Sequence, residues 1–269
     1  MKKFTIKPNP EDQSLFETLS AIDHSGNEIA THVIQERPIS LYLNDQEIVT
    51  LMTIGDYLEE LAIGYLSNQG MLSENDTILN IDYDEDIQTV VVRTDKKTNY
   101  EEKLKKKIQT SGCAQGTTFG DIMDNFDKIK LRKDIFIKIS WIFSLIKTIN
   151  TCPSLYLKTG AIHGCALCDQ DTPIIYMEDV GRHNAIDKIT GYCRINKIPT
   201  HDKIFYTTGR LTSEMIIKCV KMSIPILISR SGFTAWGVNL ARDAGLTLIG
   251  RARGNRYLIL SGSERIQND

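Results

Sequence analysis

The 269-residue chain has no long apolar run, no dominant charge and few cysteines. The best candidate for a bilayer helix, Ile135 to Ile149, is interrupted by Lys138 and Lys147, so no membrane span is expected. Lys+Arg 32 against Asp+Glu 34 leaves a net charge of −2. Bulk charge therefore gives no reason to expect nucleic acid or an anionic surface, and only a local basic cluster can serve as an anion site. Six cysteines are too sparse for a disulfide scaffold; in a reducing compartment they are thiols, metal ligands or catalytic groups. Met1-Lys2-Lys3 opens with positive charge but no apolar run follows, which excludes a signal peptide and predicts a cytoplasmic protein. Repeats and low-complexity linkers are absent. What is present is an ordinary globular composition, 41% hydrophobic and 25% charged.

The first thirty or so residues are polar and irregular and read as a loose arm, residues 1–34. Residues 35–109 read as a small α+β subdomain. Ile39 to Leu43 and Gln46 to Met52 are strands around an Asn44-Asp45 turn. Thr53 to Asp56 has the spacing of a capping box, and the helix after it carries Leu58, Leu61, Ala62, Tyr65 and Leu66 on one face before Gly70 stops it. Ile78 to Ile81 and Gln88 to Arg93 are further strands. Residues 110–120 read as an exposed loop, and Leu131 to Ile149 as a helix. Within the remaining domain, 121–269, short apolar strands (Ile174–Met177, Ile204–Tyr206, Pro225–Ile228, Leu246–Ile249) alternate with helices from about His183, Thr212 and Thr234. Tyr257 to Leu260 pairs with the last strand. Such alternation predicts an α/β fold with a largely parallel sheet and helices on its faces.

Ligands of such sheets sit beyond the carboxyl ends of the strands. Here those positions are rich in arginine: Arg182 after the first strand, Arg210 after the second, Arg230 after the third, and Arg251, Ala252, Arg253, Gly254, Asn255 and Arg256 after the fourth. Each turn adds a glycine. Guanidinium groups pair with phosphate oxygens and helix N-termini favour anions. The expected ligand is large and multiply anionic, such as a nucleotide or pyrophosphate; a single one of these arginines, taken alone, is as well explained as a solvated surface charge.

Cys113 lies between Gly112 and Ala114-Gln115-Gly116, among Thr110, Ser111, Thr117 and Thr118 and after Lys105 to Lys107. Two readings stand. Free cysteine is commonly a small buried hydrophobe, whereas an exposed thiolate near positive charge accepts sulfane sulfur as a persulfide. Cys165-Ala166-Leu167-Cys168 has C-x-x-C spacing without a second pair and reads as core, with His163 near enough to complete a partial site. Cys193 and Cys219 read as helix packing, and Cys152 as a turn residue. His163 and His183, in glycine-containing turns, are structural histidines or ligand contacts. Glu178 and Asp179 are general bases, partners of an arginine, or helix caps.

The motifs together resemble the FdhD family: Glu36-Arg37-Pro38-Ile39, Asp56 to Leu66, Thr159-Gly160-Ala161-Ile162-His163, Glu178 to Lys188, Gly209 to Met215, and Pro225 to Ser231. The resemblance, from about Gln35 to Leu260, implies a cytidine-deaminase-like mixed sheet with helices on both faces and an appended N-terminal subdomain. It implies a sulfurtransferase that carries sulfur from a cysteine desulfurase to the molybdenum (or tungsten) bis(guanine dinucleotide) cofactor of formate dehydrogenase, as a homodimer without structural metal. Its persulfide cysteine falls on Cys113 and its cofactor-binding stretch on Arg251 to Arg256, joined by Arg182, Arg210, Arg230 and His163; guanine nucleotide is a partial mimic of the cofactor. Many members carry C-x-x-C in the loop; here Gly116 occupies the second position. The alternatives are a cofactor-binding chaperone without sulfur chemistry and a zinc deaminase; the latter needs H-x-E and P-C-x-x-C, neither of which occurs.

Overall fold

A computed structural model describes residues 4–73, 75–95, 107–110, 113–118, 126 and 129–269, with the backbone alone at 107–110 and 113–118. The chain begins with a hairpin, β1 (Phe16–Ile22) and β2 (Glu28–Ile34). A second unit pairs β3 (Arg37–Leu43), β4 (Gln46–Thr53), β5 (Ile78–Asp84) and β6 (Thr89–Thr94) in the order β4-β3-β6-β5, and packs this sheet on α1 (Leu58–Asn68). Ile39, Leu41 and Leu43 alternate toward its core, where they meet Leu61, Leu66, Val90 and Val92. The hairpin β7 (Lys107–Thr110) and β8 (Cys113–Thr118) follows.

The second half is built on a six-stranded sheet. After β9 (Ile137–Lys138) come α2 (Ile139–Thr151) and α3 (Leu155–Thr159), then β10 (His163–Asp169), β11 (Thr172–Asp179), α4 (Arg182–Ile195), β12 (Ile204–Thr207), α5 (Ser213–Lys221), β13 (Ile226–Ser229), α6 (Ala235–Asp243), β14 (Thr247–Arg253), β15 (Arg256–Ser261) and β16 (Ile266–Gln267). The sheet order is β11-β10-β12-β13-β14-β15. Alternation assigns its two faces. Cys165, Leu167, Phe205, Leu227 and Leu248 meet the helices α4, α5 and α6, whereas Ala166, Cys168, Tyr206, Ile228 and Ile249 meet Ile142, Leu145, Ile146 and Ile149 of α2. Each fully buried aliphatic side chain of this kind contributes about 2 kcal/mol. No helix among the described residues is long and apolar enough to cross a membrane.

Several expectations are corrected. The sheet is mixed, in line with the family resemblance, rather than largely parallel as strand–helix alternation alone suggests. Parallel pairing is confined to β12, β13 and β14, because β10 runs antiparallel between β11 and β12 and β14 turns back into β15. The arm expected over 1–34 is tied down: Thr5 and Ile6 bond to Ile174, Leu15 is buried, and 16–34 form the hairpin. Thr110 and residues 113–118, read as part of a loop over 110–120, belong to the β7–β8 hairpin, and the rest of that loop lies outside the described residues. The helix expected from Leu131 starts at Ile139, since Ile137 is drawn into a strand pairing with Ile266 and is wholly buried. Thr53 and Asp56 do not cap α1, whose entry residue Tyr57 is left-handed at φ 49° with no side-chain cap; both side chains serve tertiary contacts described below. The Gly70 stop holds, at φ 72°.

Helix α1 is buried on two sides, against its own sheet and against α4, and the second contact depends on two glycines. A Cβ on Gly64 would lie 1.8 Å from the Asp187 carbonyl oxygen, and one on Gly191 1.9 Å from that of Glu60. The two backbones therefore approach closer than any side chain allows. Gly64→Ala and Gly191→Ala are each expected to lower stability by about 3 kcal/mol, read as a shift of the urea midpoint at unchanged slope. A midpoint unmoved by either substitution would contradict this helix contact.

Candidate functional site

Strand directions bring the sequence's arginine turns to one edge. The registers His163↔Asp179, Cys165↔Thr207, Thr207↔Ser229 and Ile228↔Ile249 align the start of β10 with the ends of β11, β12 and β13, beyond which the second half of β14 extends. Arg182 opens α4 and is buried, with its stem against Gly209, where a Cβ would sit 2.7 Å from the arginine's Cδ. Arg210 is exposed in the next turn. Arg230 lies over the Tyr156 ring at 5.2 Å and donates to Asn150 at 3.2 Å. Arg253 donates from Nε to the Arg230 carbonyl at 2.8 Å. Arg251, left-handed at φ 52°, stands 5.6 Å from the Phe233 ring, and Arg256 pairs with Arg253 across β14–β15, with exposed Gly254 and Asn255 between them. The turns are stitched together: Ser229 Oγ donates to the Gly209 carbonyl at 2.6 Å, and the Arg251 N–H to that of Ser231 at 3.0 Å. Ala252 departs from the expectation. It is wholly buried in the α2-facing core, because alternation along β14 turns it away from Arg251 and Arg253.

His163 stands at this edge, half-buried, with Nδ1 3.3 Å from the Thr208 hydroxyl, which accepts from the Gly164 N–H at 2.9 Å. Burial lowers its pKa, and the Arg182 and Arg210 guanidinium groups lower it further. An imidazole so placed is neutral at pH 7. Several cations, a neutral imidazole, open backbone turns and the N-termini of α4 and α5 make a surface suited to phosphate groups.

The block Glu178 to Lys188 mostly holds the frame. Lys188, wholly buried, reaches Asp56 at 2.5 Å, Asp179 at 2.6 Å and the Glu178 carbonyl at 3.0 Å. Burial opposes its charge, but the two carboxylates prevail and raise its pKa. Asp179 also accepts from Thr53 at 2.5 Å and Asn184 at 2.9 Å, while Asp187 pairs with Lys218 at 2.7 Å and accepts from Asn68 at 2.6 Å. Thr53 and Asp56 carry a capping signal in the sequence rather than this role, and Asn68 and Lys218 carry no sequence signal for it. Glu178 is a helix cap: its carboxylate accepts from the N–H groups of Leu155 at 2.8 Å and Tyr156 at 2.9 Å.

The described cysteine side chains, at 152, 165, 168, 193 and 219, are all buried. Burial pushes Cys165 and Cys193 up to about 12 and raises Cys152, Cys168 and Cys219. These are poor thiolates. Cys165 and Cys168 belong to cores on opposite faces of the sheet and cannot share one ion. Cys113 is the first residue of β8, opposite Thr110; its side chain, and that of Gly116's neighbour Gln115, lie outside the described residues.

Burial outweighs the two N–H donors at Glu178 and raises its pKa from 4.5 to about 7. The folded state therefore holds this proton more tightly than the unfolded chain. Its contribution is fully present below pH 4.5 and is lost as pH rises through 7. Between pH 5 and pH 8 the wild type is expected to lose stability relative to Glu178→Gln, by about 3 kcal/mol at most. Urea unfolding of both proteins at the two pH values checks this; a constant difference would contradict it.

Comparison with known proteins places the chain. The model of the FdhD/NarQ family matches residues 34–267. Proteins called "Sulfur carrier protein FdhD" from Bacillus pumilus and Wolinella succinogenes are each 32% identical, over 87% of this chain and 90% and 82% of theirs. A crystal structure from Desulfotalea psychrophila, described as a candidate formate dehydrogenase accessory protein, superposes with a TM-score of 0.74 at 29% identity, covering 94% of this chain and 99% of that one. With an α/β fold shared along nearly its whole length and a family model spanning 34–267, this chain belongs to the FdhD/NarQ family.

Proposed function

We propose that the chain is a sulfur carrier for formate dehydrogenase, a sulfurtransferase that works through a persulfide on Cys113. The observation that carries this reading is the arginine edge, whose donor set fits the two pyrophosphates of a bis(guanine dinucleotide) molybdenum cofactor. The names of the relatives support the sulfur part. So does the burial of every described cysteine side chain, which leaves none of those thiols suited to attack.

In this reading the Cys113 thiolate attacks the terminal sulfur of a cysteine desulfurase persulfide. The new S–S bond forms as the donor's S–S bond breaks, and the donor leaves as its thiolate. The cofactor is the substrate, held at the edge by Arg182, Arg210, Arg230, Arg251, Arg253 and Arg256, with His163, Gly254 and Asn255 beside them. Delivery of sulfur as sulfide takes two electrons, supplied by the acceptor or by a thiol reductant, since Gly116 stands where a resolving cysteine would be. The formate dehydrogenase catalytic subunit is the downstream partner. A cytidine-deaminase-like fold, a homodimeric cytoplasmic protein, and a division into 1–34, 35–109, 110–120 and 121–269 belong to the same reading.

Two measurements test it. Cys113→Ala, incubated with a cysteine desulfurase and labelled cysteine, is expected to carry no sulfane label while still binding guanosine diphosphate. Label retained at the wild-type level would remove Cys113 from the mechanism; loss of label with cofactor delivery intact would leave a chaperone without sulfur chemistry. Separately, Arg253→Ala is expected to weaken guanosine diphosphate binding by about tenfold, the scale of one charge-assisted contact. Unchanged affinity counts against the edge.

A further inference from the structure

His163 occupies an unusual position for a side chain able to hold a positive charge. It projects from the first residue of β10 into the same edge as the arginine turns. The charges that bear on it are the Arg182 guanidinium at the start of α4, the Arg210 guanidinium of the turn after β12 and His183, all of which lower its pKa, and Asp179, which raises it. The nearest carboxylate of the neighbouring strand is Asp179, its register partner, and that group is wholly buried against Lys188, Thr53 and Asn184. Among the described residues its one hydrogen-bonding neighbour is the Thr208 hydroxyl, at 3.3 Å from Nδ1. Thr208 in turn accepts from the Gly164 N–H, so its single hydroxyl hydrogen is available to Nδ1. The neutral ring then carries its hydrogen on Nε2, the nitrogen with no partner assigned among the described residues.

The charges around this ring therefore change sign when the edge is filled. With no ligand, burial disfavours an imidazolium and the two guanidinium groups repel it further, against the smaller opposing pull of Asp179. A pyrophosphate seated on the same guanidinium groups neutralises them and adds negative charge beside the ring. The imidazolium then becomes the favoured form, donating to Thr208 from Nδ1 and to the ligand from Nε2. From this geometry we infer that the edge binds its polyanionic ligand together with one proton, taken from solvent by His163. The inference rests on the proposed reading of the edge and names how that site is regulated. It makes the site selective for fully ionised phosphates and makes ligand release easier where pH is higher.

His183 is the competing acceptor and is distinguished by its surroundings. Its Nε2 lies 3.0 Å from the Glu214 carboxylate, and its backbone carbonyl accepts from Lys218. Burial holds its pKa below the ordinary value against the pull of that carboxylate, so its charge is set inside the protein rather than by the ligand.

The test is calorimetric titration of the full-length protein with guanosine diphosphate at pH 7 in buffers of different ionisation enthalpy, with affinities measured at pH 7 and pH 8. In this range the terminal phosphate, with a second pKa of about 6, contributes little. The wild type is expected to take up a substantial fraction of one proton per ligand and to lose affinity about threefold over this interval. His163→Gln is expected to bind more weakly, with no uptake and a flat pH profile. Binding by the wild type without proton uptake would overturn the inference and leave the edge standing. Uptake undiminished in His163→Gln would move the proton to the His183–Glu214 pair and overturn it equally. No binding at all would overturn the reading of the edge beneath it. Should the variant fail to fold, the imidazole resonances of the wild type decide: the His163 pKa must rise on adding guanosine diphosphate, and an unmoved value refutes the inference.

Discussion

The ammonium group of Lys188, sealed between Asp56 and Asp179, is the interaction on which the rest of the molecule depends. A buried charge without partners costs several kcal/mol, and removing one member of such a group strands the others. Here the three charges come from the loop before α1, from the end of β11 and from the middle of α4, separated by as many as 132 residues. Thr53 and Asn184 complete the oxygen contacts of Asp179, so that β4, β11 and α4 meet at one point. The same α4 lies against α1 through Gly64 and Gly191. Moving either helix would break the ion cluster and open the glycine contact together. The N-terminal sheet and the six-stranded sheet are thereby fixed to each other, and with them the first turn of α4 that presents Arg182 and His183.

This arrangement also explains how a chain of net charge −2 presents a positive edge. Carboxylates are plentiful close behind the arginines, and each of three has a fixed partner elsewhere. Asp179 is bound to Lys188, Asp187 to Lys218, and Glu178 to the N-terminal N–H groups of α3. None of the three is left as a counterion for the turns after β12, β13 and β14. The motif of residues 178–188 thus works mainly by removing negative charge from competition and by holding the frame. Of its members, Arg182 and His183 lower the pKa of His163 at the edge, and Asp179 opposes them more weakly.

Much of the second half was legible because its signals are local. Short apolar runs ended by glycine and arginine mark β12, β13 and β14, and the helices between them have ordinary apolar periodicity. The arginine turns followed from the rule that ligands lie beyond strand ends, and the strand registers put them at one edge. Illegible features were those decided by distant partners. Strand β10 is buried on both faces and reads Gly164-Cys165-Ala166-Leu167-Cys168 without alternation, so its antiparallel insertion was invisible and the sheet looked parallel. The β1–β2 hairpin is half-exposed on both faces and lacks the apolar period that announces a strand. Thr53 and Asp56 have perfect capping spacing, yet Asp179 and Lys188 compete for them and win, because a buried charge gains more from a partner than a helix end open to water loses. Ala252 sits within an arginine-rich run, and only the pleat of β14 tells that it points the other way.

The pattern of thiols follows from the same physics. A sulfur carrier needs a thiolate, and a thiolate needs either water or positive charge near it. Cys165 and Cys168 lie mid-strand under helices on opposite faces; Cys193 and Cys219 lie on the helix sides that form the core. The desolvation that makes these positions good for packing is what makes their sulfur inert, as the upward pKa shifts record. Stability and reactivity therefore place opposite demands on cysteine, and this fold meets the first demand at every described cysteine side chain. A thiol that carries sulfur must belong to a segment whose residues give packing little to hold. The glycine- and threonine-rich sequence around Cys113 is of that kind.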